Sequence, residues 1–403
     1  FCQKLSCFFH PVHPISELSY AAVLKSCRSN IDCPGVIWMK ELQRKTYPRF
    51  FTALLIGSCY LWLILRPQDA GNAARETLAL CAKVVIPSLF PFFVCGNLLC
   101  SLRLLEPLER KLQPVMQPLF HLPGVSAAAI VLGLTGGYPS GAQAVSALYA
   151  SGSICKPDAK RLLCFCNNCG PAFIFGVAGS TVFGSLQAGL LLYLVHCICA
   201  FLCGLLQPKS DCPAARTPNF AAQASEQISD SEAFIQSVKA AGSTILEVCM
   251  FVVVFGVVSS MLQSILSSVL PATALVFITG LLELSGGMHA LSNLALPQGL
   301  KFMAASFFLA FGGLSVHAQT KAVLAQAGLQ DLPVFLPKLK HALLSACMSL
   351  PVYLLFQEKL RAAQTFAPAF QAGSCWLFGL LASGLIFFVF QKIAGSILAQ
   401  HRV

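Results

Sequence analysis

The chain has 403 residues, of which 56% are hydrophobic and only 11% charged, and its mean hydropathy is +0.72. A soluble globular domain carries about 25% charged residues, so the composition excludes one and points to an integral membrane protein. The net charge of +11 is spread over short loops, and no Arg/Lys run is interleaved with aromatics as a nucleic-acid site requires.

Residues 1–38 carry no membrane pattern. Cys2, Cys7, Cys27 and Cys33 are scattered among His and Pro without periodicity, and the layout of a signal peptide is missing. The segment reads as a non-native or disordered extension, with the working protein beginning at Met39. Residues 39–76 then hold a basic start and a first transmembrane helix, whose apolar window falls at 50–65.

Residues 77–207 and 234–403 read as two related repeats, joined by a polar, Pro-bearing linker at 208–233. Apolar windows lie at 78–102, 125–134, 162–182 and 186–206 in the first repeat. In the second they lie at 240–266, 270–284, 302–311, 343–356 and 376–390. A membrane-crossing helix needs about 20 apolar residues; several windows are long enough and others are too short. Short windows cut by Gly and Pro suggest re-entrant or broken helices, because irregular backbone survives at membrane depth only inside protein or beside a wet cavity. The expected fold is all-α, with about eight to ten transmembrane or re-entrant helices.

The repeat rests on an echo. Gly136-Gly137-Tyr138-Pro139-Ser140-Gly141-Ala142-Gln143 returns as Gly312-Gly313-Leu314-Ser315-Val316-His317-Ala318-Gln319. Leu148 then matches Leu324, and Gly152 matches Gly328. Phe93-Val94-Cys95-Gly96 resembles Val253-Val254-Phe255-Gly256, and Pro123-Gly124 parallels Pro297-Gln298-Gly299. Paired helix breaks in two halves of a membrane protein point to a solute site.

The candidate solute-binding residues are Gly136, Gly137, Ser140, Gln143, Asn167, Asn168, Glu283, Gly312, Gly313 and Gln319. Paired glycines admit backbone angles closed to other residues and let a solute approach the chain. Where a helix restarts at Ser140, free N–H groups and the positive dipole end suit an anion. Asn167 and Asn168, in Asn167-Asn168-Cys169-Gly170-Pro171, both donate and accept hydrogen bonds, and Pro171 releases the Asn167 carbonyl from the helix ladder. Glu283, beside Gly286-Gly287, is an ionisable group at membrane depth and is read as functional by default, as is Glu247 more weakly. His289 and His317 could titrate near neutral pH. Each of these sites also has a purely structural reading, as a tight helix crossing, a tied-off break or a satisfied histidine.

Most of the 19 cysteines lie in apolar windows, where a free thiol behaves as a small hydrophobe. Cys164-x-Cys166-x-x-Cys169 has a spacing that could hold a soft metal, but it lacks a neighbouring His in sequence, so no metal or cofactor is expected. No phosphate-binding Gly loop, Gly-x-Ser-x-Gly elbow or His-Glu-x-x-His run is present, and the expectation is a protein that is not an enzyme. Basic segments at 40–45, 103–111, 156–161 and 338–340 favour the cytoplasmic side.

Three runs together resemble one family: Gly133 to Ala142, Arg161 to Ile174, and Gly280-Leu281-Leu282-Glu283. They are similar to the YlbJ family of sporulation integral membrane proteins. Its nucleoside-recognition, or Gate, domain is also seen in nucleoside transporters and the ferrous iron transporter FeoB. The resemblance covers the chain from about Met39 onward. It implies a multi-pass membrane protein of a spore-former, placed in the cell membrane and more finely in the outer forespore membrane. It further implies movement of dipicolinic acid, a planar dianion, between mother cell and forespore. The partners expected are a small anionic solute and the lipid bilayer, with a second copy of the chain as a further candidate. A nucleoside transporter and a non-transporting spore-envelope assembly protein are the alternatives.

Overall fold

The computed structural model describes residues 52–208 and 229–365, and every regular element among them is helical. The leading segment 1–38, the start at Met39, most of the linker and the window at 376–390 lie outside the described residues. The chain divides into two compact units, one ending at Pro67 and one beginning at Gln68. The first is described only through an apolar helix, α1 (Thr52–Leu65).

Six helices of the second unit are long and apolar enough to cross a membrane. The unit opens with α2 (Pro67–Ser101), which carries a π-helical turn at Cys81–Val85, and the amphipathic α3 (Glu106–Phe120). Next come α4 (Ser126–Gly136) and α5 (Ser140–Ala150), each 11 residues long. At 1.5 Å per residue each covers only about 16 Å, roughly half the hydrocarbon thickness. They form a hairpin: a Cβ placed on Gly133 would stand 3.2 Å from the Gly141 Cα, an approach that a continuing helix forbids. The tip is Gly137-Tyr138-Pro139.

A broken span follows, Lys156–Val182. Its first piece, α6 (Lys156–Cys166), ends at Asn167. Its second, α7, starts with Pro171–Phe173 and runs on as the π-helical stretch Ile174–Val182. It packs antiparallel on α8 (Leu186–Leu205), with Arg161 donating to the Gln207 carbonyl at one end and Phe175 against Tyr193 further along.

The second half repeats this order. α9 (Asp230–Leu266) starts with the Ser229 hydroxyl accepting from the Glu232 N–H at 3.3 Å, one half of a capping box. Then comes a second short hairpin, α10 (Ala272–Leu282) and α11 (Leu284–Asn293), whose tip is Glu283. Gly280 and Gly287 touch backbone to backbone across it. A second broken span, Gln298–Gln326, consists of α12 (Gln298–Phe311) and α13 (Gly313–Gln326). The last span among the described residues is α14 (Phe335–Thr365).

Each half is therefore a long span, a re-entrant hairpin, a broken span and a closing span. Three crossings per half turn the second half over. Partner helices accordingly run antiparallel: Asn97 of α2 donates to the Ser237 carbonyl of α9 at 3.4 Å, while Thr77 lies against Gly256. The broken spans also oppose each other, since Lys156 pairs with Asp331 at 2.9 Å and Asn167 reaches Thr320. The hydrogen bond from Lys156 holds the Asp331 carboxyl below its ordinary range. Inverted halves of this kind are a common transporter plan.

The sequence echo has a different phase. Gly136-Gly137 lies at the tip of a hairpin that reverses the chain, whereas Gly312-Gly313 interrupts a span that continues onward. Gly137 and Gly313 share a need for glycine, with φ of 82° and 79°, while Gly312, at 82°, matches Gly136, which is still helical. In the fold, the Gly137 tip corresponds to the Glu283 tip, and the Asn167–Gly170 break corresponds to Gly312-Gly313.

Candidate solute-binding site

All four interruptions meet. A cavity of about 40 Å³ is lined by Tyr138 from the first tip, Cys169 and Gly170 from the first broken span, Glu283 to Ser285 from the second tip, and Val316 and Gln319 from the second broken span. Val85, Leu89, Val248 and Val252 close it from the long helices. That volume suits about one water molecule and is far below the roughly 300–1,000 Å³ of small-molecule pockets, so the site is closed in this structure.

Every break inside a membrane must satisfy its own backbone, and the last four carbonyls of a helix have no partner within it. At the end of α12 all four are satisfied. Phe308 O accepts from the Gly312 N–H at 2.8 Å. Leu309 O and Ala310 O share the Tyr138 hydroxyl, each at 3.2 Å. Phe311 O takes the fourth bond from His317 Nε2 at 3.0 Å, which assigns the ring proton to that nitrogen. The tip of one hairpin thus completes the break in the opposite half. His317 is a backbone partner here, and Tyr138 joins the two halves.

The second tip is self-contained. Glu283 is buried, and its carboxylate accepts from the Ser285 N–H at 2.9 Å and from the Gly286 N–H. It caps α11 and occupies that helix's positive end, as a carboxylate there should. In the first broken span Asn168 Nδ2 donates to the Phe165 carbonyl at 2.7 Å, and Asn167 Nδ2 to the Thr320 hydroxyl at 3.0 Å. The side-chain oxygens of both amides are buried without a hydrogen-bond partner. Two acceptors left open at membrane depth cost several kcal/mol in principle.

The remaining sequence-derived residues fall as follows. Gly137 packs on the break: a Cβ there would stand 2.8 Å from the Gly170 nitrogen. Gly136 lies against Ser140, and Ser140 opens α5 with its N–H bonded to the Gly137 carbonyl at 2.8 Å. Gly312 lies beside Tyr138, and Gly313 beside Glu283. Gln319 lines the cavity and donates to Ser315 at 3.1 Å. Gln143, its match in the echo, instead donates to Thr244 of α9 at 2.9 Å and does not line the cavity.

On the outer side of Glu283 lies a groove of about 550 Å³ between α2, α9, α10 and α11. Its lining includes Glu76, Lys83, Gln263, Thr279, Glu283 and His289. Lys83 stands on the π-helical turn of α2, a distortion that often marks functional sites. The groove has the volume of a small-molecule pocket, and Glu283 borders both it and the closed central cavity. Sequence reading placed His289 near Glu283 but gave no sign of Lys83.

Sequence reading also missed a buried polar row. Lys338, His341 and Ser345 lie on one face of α14, all buried, although 338–340 reads as a basic loop in the sequence. His341 Nε2 bonds the His196 carbonyl at 3.0 Å, and His196 Nε2 accepts from the Cys169 N–H at 3.2 Å. The spacing of three and four residues was the available signal.

Residues 82–205 match the family model described as "Nucleoside recognition" (Gate). The match covers α2 from its π-helical turn through α8, the whole of the first hairpin and broken span. The chain is similar to the "Sporulation integral membrane protein YlbJ" of Bacillus subtilis (strain 168), with 27% identity over 329 residues, 73% of this chain and 81% of that protein. No solved structure matches it. The chain is thus an all-helical, multi-pass integral membrane protein with a segment that matches the nucleoside-recognition Gate model and with similarity over most of its length to a sporulation integral membrane protein.

Proposed function

We propose that this protein is a permease for a small anionic heterocycle, with dipicolinic acid as the leading candidate, in a forespore membrane of a spore-forming bacterium. The observation that carries the reading is the convergence of four helix interruptions from two inverted halves on one cavity, with a groove of about 550 Å³ outside it and Glu283 between the two. Interrupted helices at such a meeting point hold solute in many secondary transporters. A scaffold has little use for open amide oxygens and a capped carboxylate at that depth.

In this reading the hairpins act as gates. Separation of the second hairpin from Gly313 opens the groove onto the central cavity, and separation of the first hairpin from the α12 carbonyls opens the other face. The Tyr138 hydroxyl and the α12 carbonyls released at the second step are then free for solute. A nucleoside or related heterocycle is the second reading, favoured by the Gate match over the first half.

Uptake into proteoliposomes tests the proposal, with labelled dipicolinate competed by nucleosides. Saturable dipicolinate uptake that nucleosides leave intact supports it. Uptake of nucleosides alone moves the assignment to the second reading, and uptake of neither removes the permease. In sporulating cells Asn168→Ala should abolish dipicolinate accumulation while membrane levels stay normal; unchanged accumulation removes Asn168 from the site.

A further inference from the structure

Lys338 is a cation without a counter-ion among the described residues. It is 3% exposed, and its ammonium has no hydrogen-bond partner. Its contact is the face of the Tyr138 ring, with Nζ 4.9 Å from the ring centre. The titratable groups that face it are Cys164 and Cys166 of α6, Cys169 of the first break, His196 and Cys203 of α8, and His317 and His341 of α13 and α14. Among the described residues, thiols and imidazoles surround it, and no carboxylate does. A cation–π contact contributes about 2 kcal/mol when desolvated, well short of the several kcal/mol that a lone buried ion costs.

Such a group persists in a membrane protein when it has a charge to meet. Tyr138 supplies the link: its ring carries Lys338 on one face, and the same side chain lines the central cavity. Tyr138 is also the residue whose hydroxyl pins the first tip to the α12 carbonyls. Movement of that tip takes the ring away from Lys338 and leaves the ammonium facing the opened cavity.

We propose that Lys338 is the anion-binding residue of the solute site, pairing with a carboxylate of the solute once Tyr138 withdraws. This rests on the permease reading and adds the group that gives it charge selectivity. Lys338 brings three N–H donors at the end of a long side chain. In the closed state the ammonium is stored against an aromatic face and shielded from water.

The test uses the purified full-length protein and two probes of one shape, dipicolinate and the uncharged pyridine-2,6-dicarboxamide. Dipicolinate should raise the thermal midpoint of the wild-type protein and the diamide should not. Lys338→Met should weaken the dipicolinate response roughly 30-fold or more, as removal of one member of a buried charge pair does, and Lys338→Arg should restore most of it. A second neutral variant, Lys338→Gln, should lose the response in the same way. An equal dipicolinate response in wild type and in both neutral variants overturns the assignment of Lys338 and leaves the permease reading standing. A wild-type protein that responds to neither probe removes the anion-permease reading and Lys338 with it.

Discussion

The two hairpin tips occupy equivalent places in opposite halves and are built from opposite chemistry. The first, Gly137-Tyr138-Pro139, sends a hydroxyl across the molecule to the Leu309 and Ala310 carbonyls. The second, Glu283, folds its carboxylate back on the N–H groups of its own helix. One tip is bonded to the other half, and the other satisfies itself. The Glu283 side chain therefore makes no hydrogen bond across to the other broken span, and the second hairpin's ties run instead from Thr279 to Gln263 and from Ser292 to Lys301, whereas movement of the first tip must break bonds to α12 in the opposite half. In the permease reading, the first tip is therefore the one held by the opposite half.

Substitutions at the tips can break this contrast. The largest effect is expected from Gly137→Val, because the backbone there has φ of 82° and a Cβ would stand 2.8 Å from the Gly170 nitrogen. Left-handed backbone alone costs a branched residue about 1–2 kcal/mol, and the clash adds to it. The variant should fail to accumulate in membranes, as an immunoblot of fractionated cells would show. Normal accumulation would mean that the tip does not pack on the break.

Next in size is Glu283→Ala, which removes the cap of α11 and should lower stability by about 1–2 kcal/mol, read as a lower thermal midpoint in detergent. Glu283→Gln should recover part of it, since an amide oxygen still accepts. Tyr138→Phe comes third, at about 1 kcal/mol, because the lost hydroxyl leaves two carbonyls open at one end of α12. Its distinguishing mark is exchange: amides after Gly312 should lose hydrogen-exchange protection in Tyr138→Phe, while those of α11 should lose it in Glu283→Ala. The same pattern in both variants would erase the difference between the tips.

The smallest effect is expected at Lys156 and Asp331, an exposed pair that joins the ends of the two broken spans. The Asp331 carboxyl is held below its ordinary value by the hydrogen bond from Lys156. Its contribution is therefore present above the ordinary carboxylate range and is lost as pH falls through the depressed value. Solvent screens such a pair, so Asp331→Asn should leave the thermal midpoint at neutral pH unchanged within error.

Much of this was legible in the sequence. The all-helical membrane class followed from composition, and three of the breaks followed from the two Gly-Gly pairs and Asn-Asn-x-Gly-Pro, whereas Glu283 read as an ionisable group at membrane depth and not as the tip of a hairpin. The partners of those breaks were not legible. The echo of Gly136-Gly137 at Gly312-Gly313 records a demand for positive φ shared by Gly137 and Gly313, and that demand says nothing of whether the chain then reverses or continues. For the same reason Gln143 and Gln319 align in sequence yet face different neighbours. Lys338 was hidden by its company: beside Lys340 and His341 it reads as a loop charge, and only the helical spacing to His341 and Ser345 shows a buried face. Tyr138 stood inside a quoted motif, but its role depends on carbonyls about 170 positions away, which no local pattern contains.

The account turns on solute occupying the place where the four breaks meet. A structure of the protein determined with saturating dipicolinate tests this most directly. The account predicts density between Tyr138, Glu283 and Gln319, with the tips drawn apart and the cavity enlarged well beyond its present 40 Å³. Dipicolinate found elsewhere, for instance in the cleft of about 560 Å³ lined by Phe183 and Tyr353, with the four breaks still closed, would contradict it.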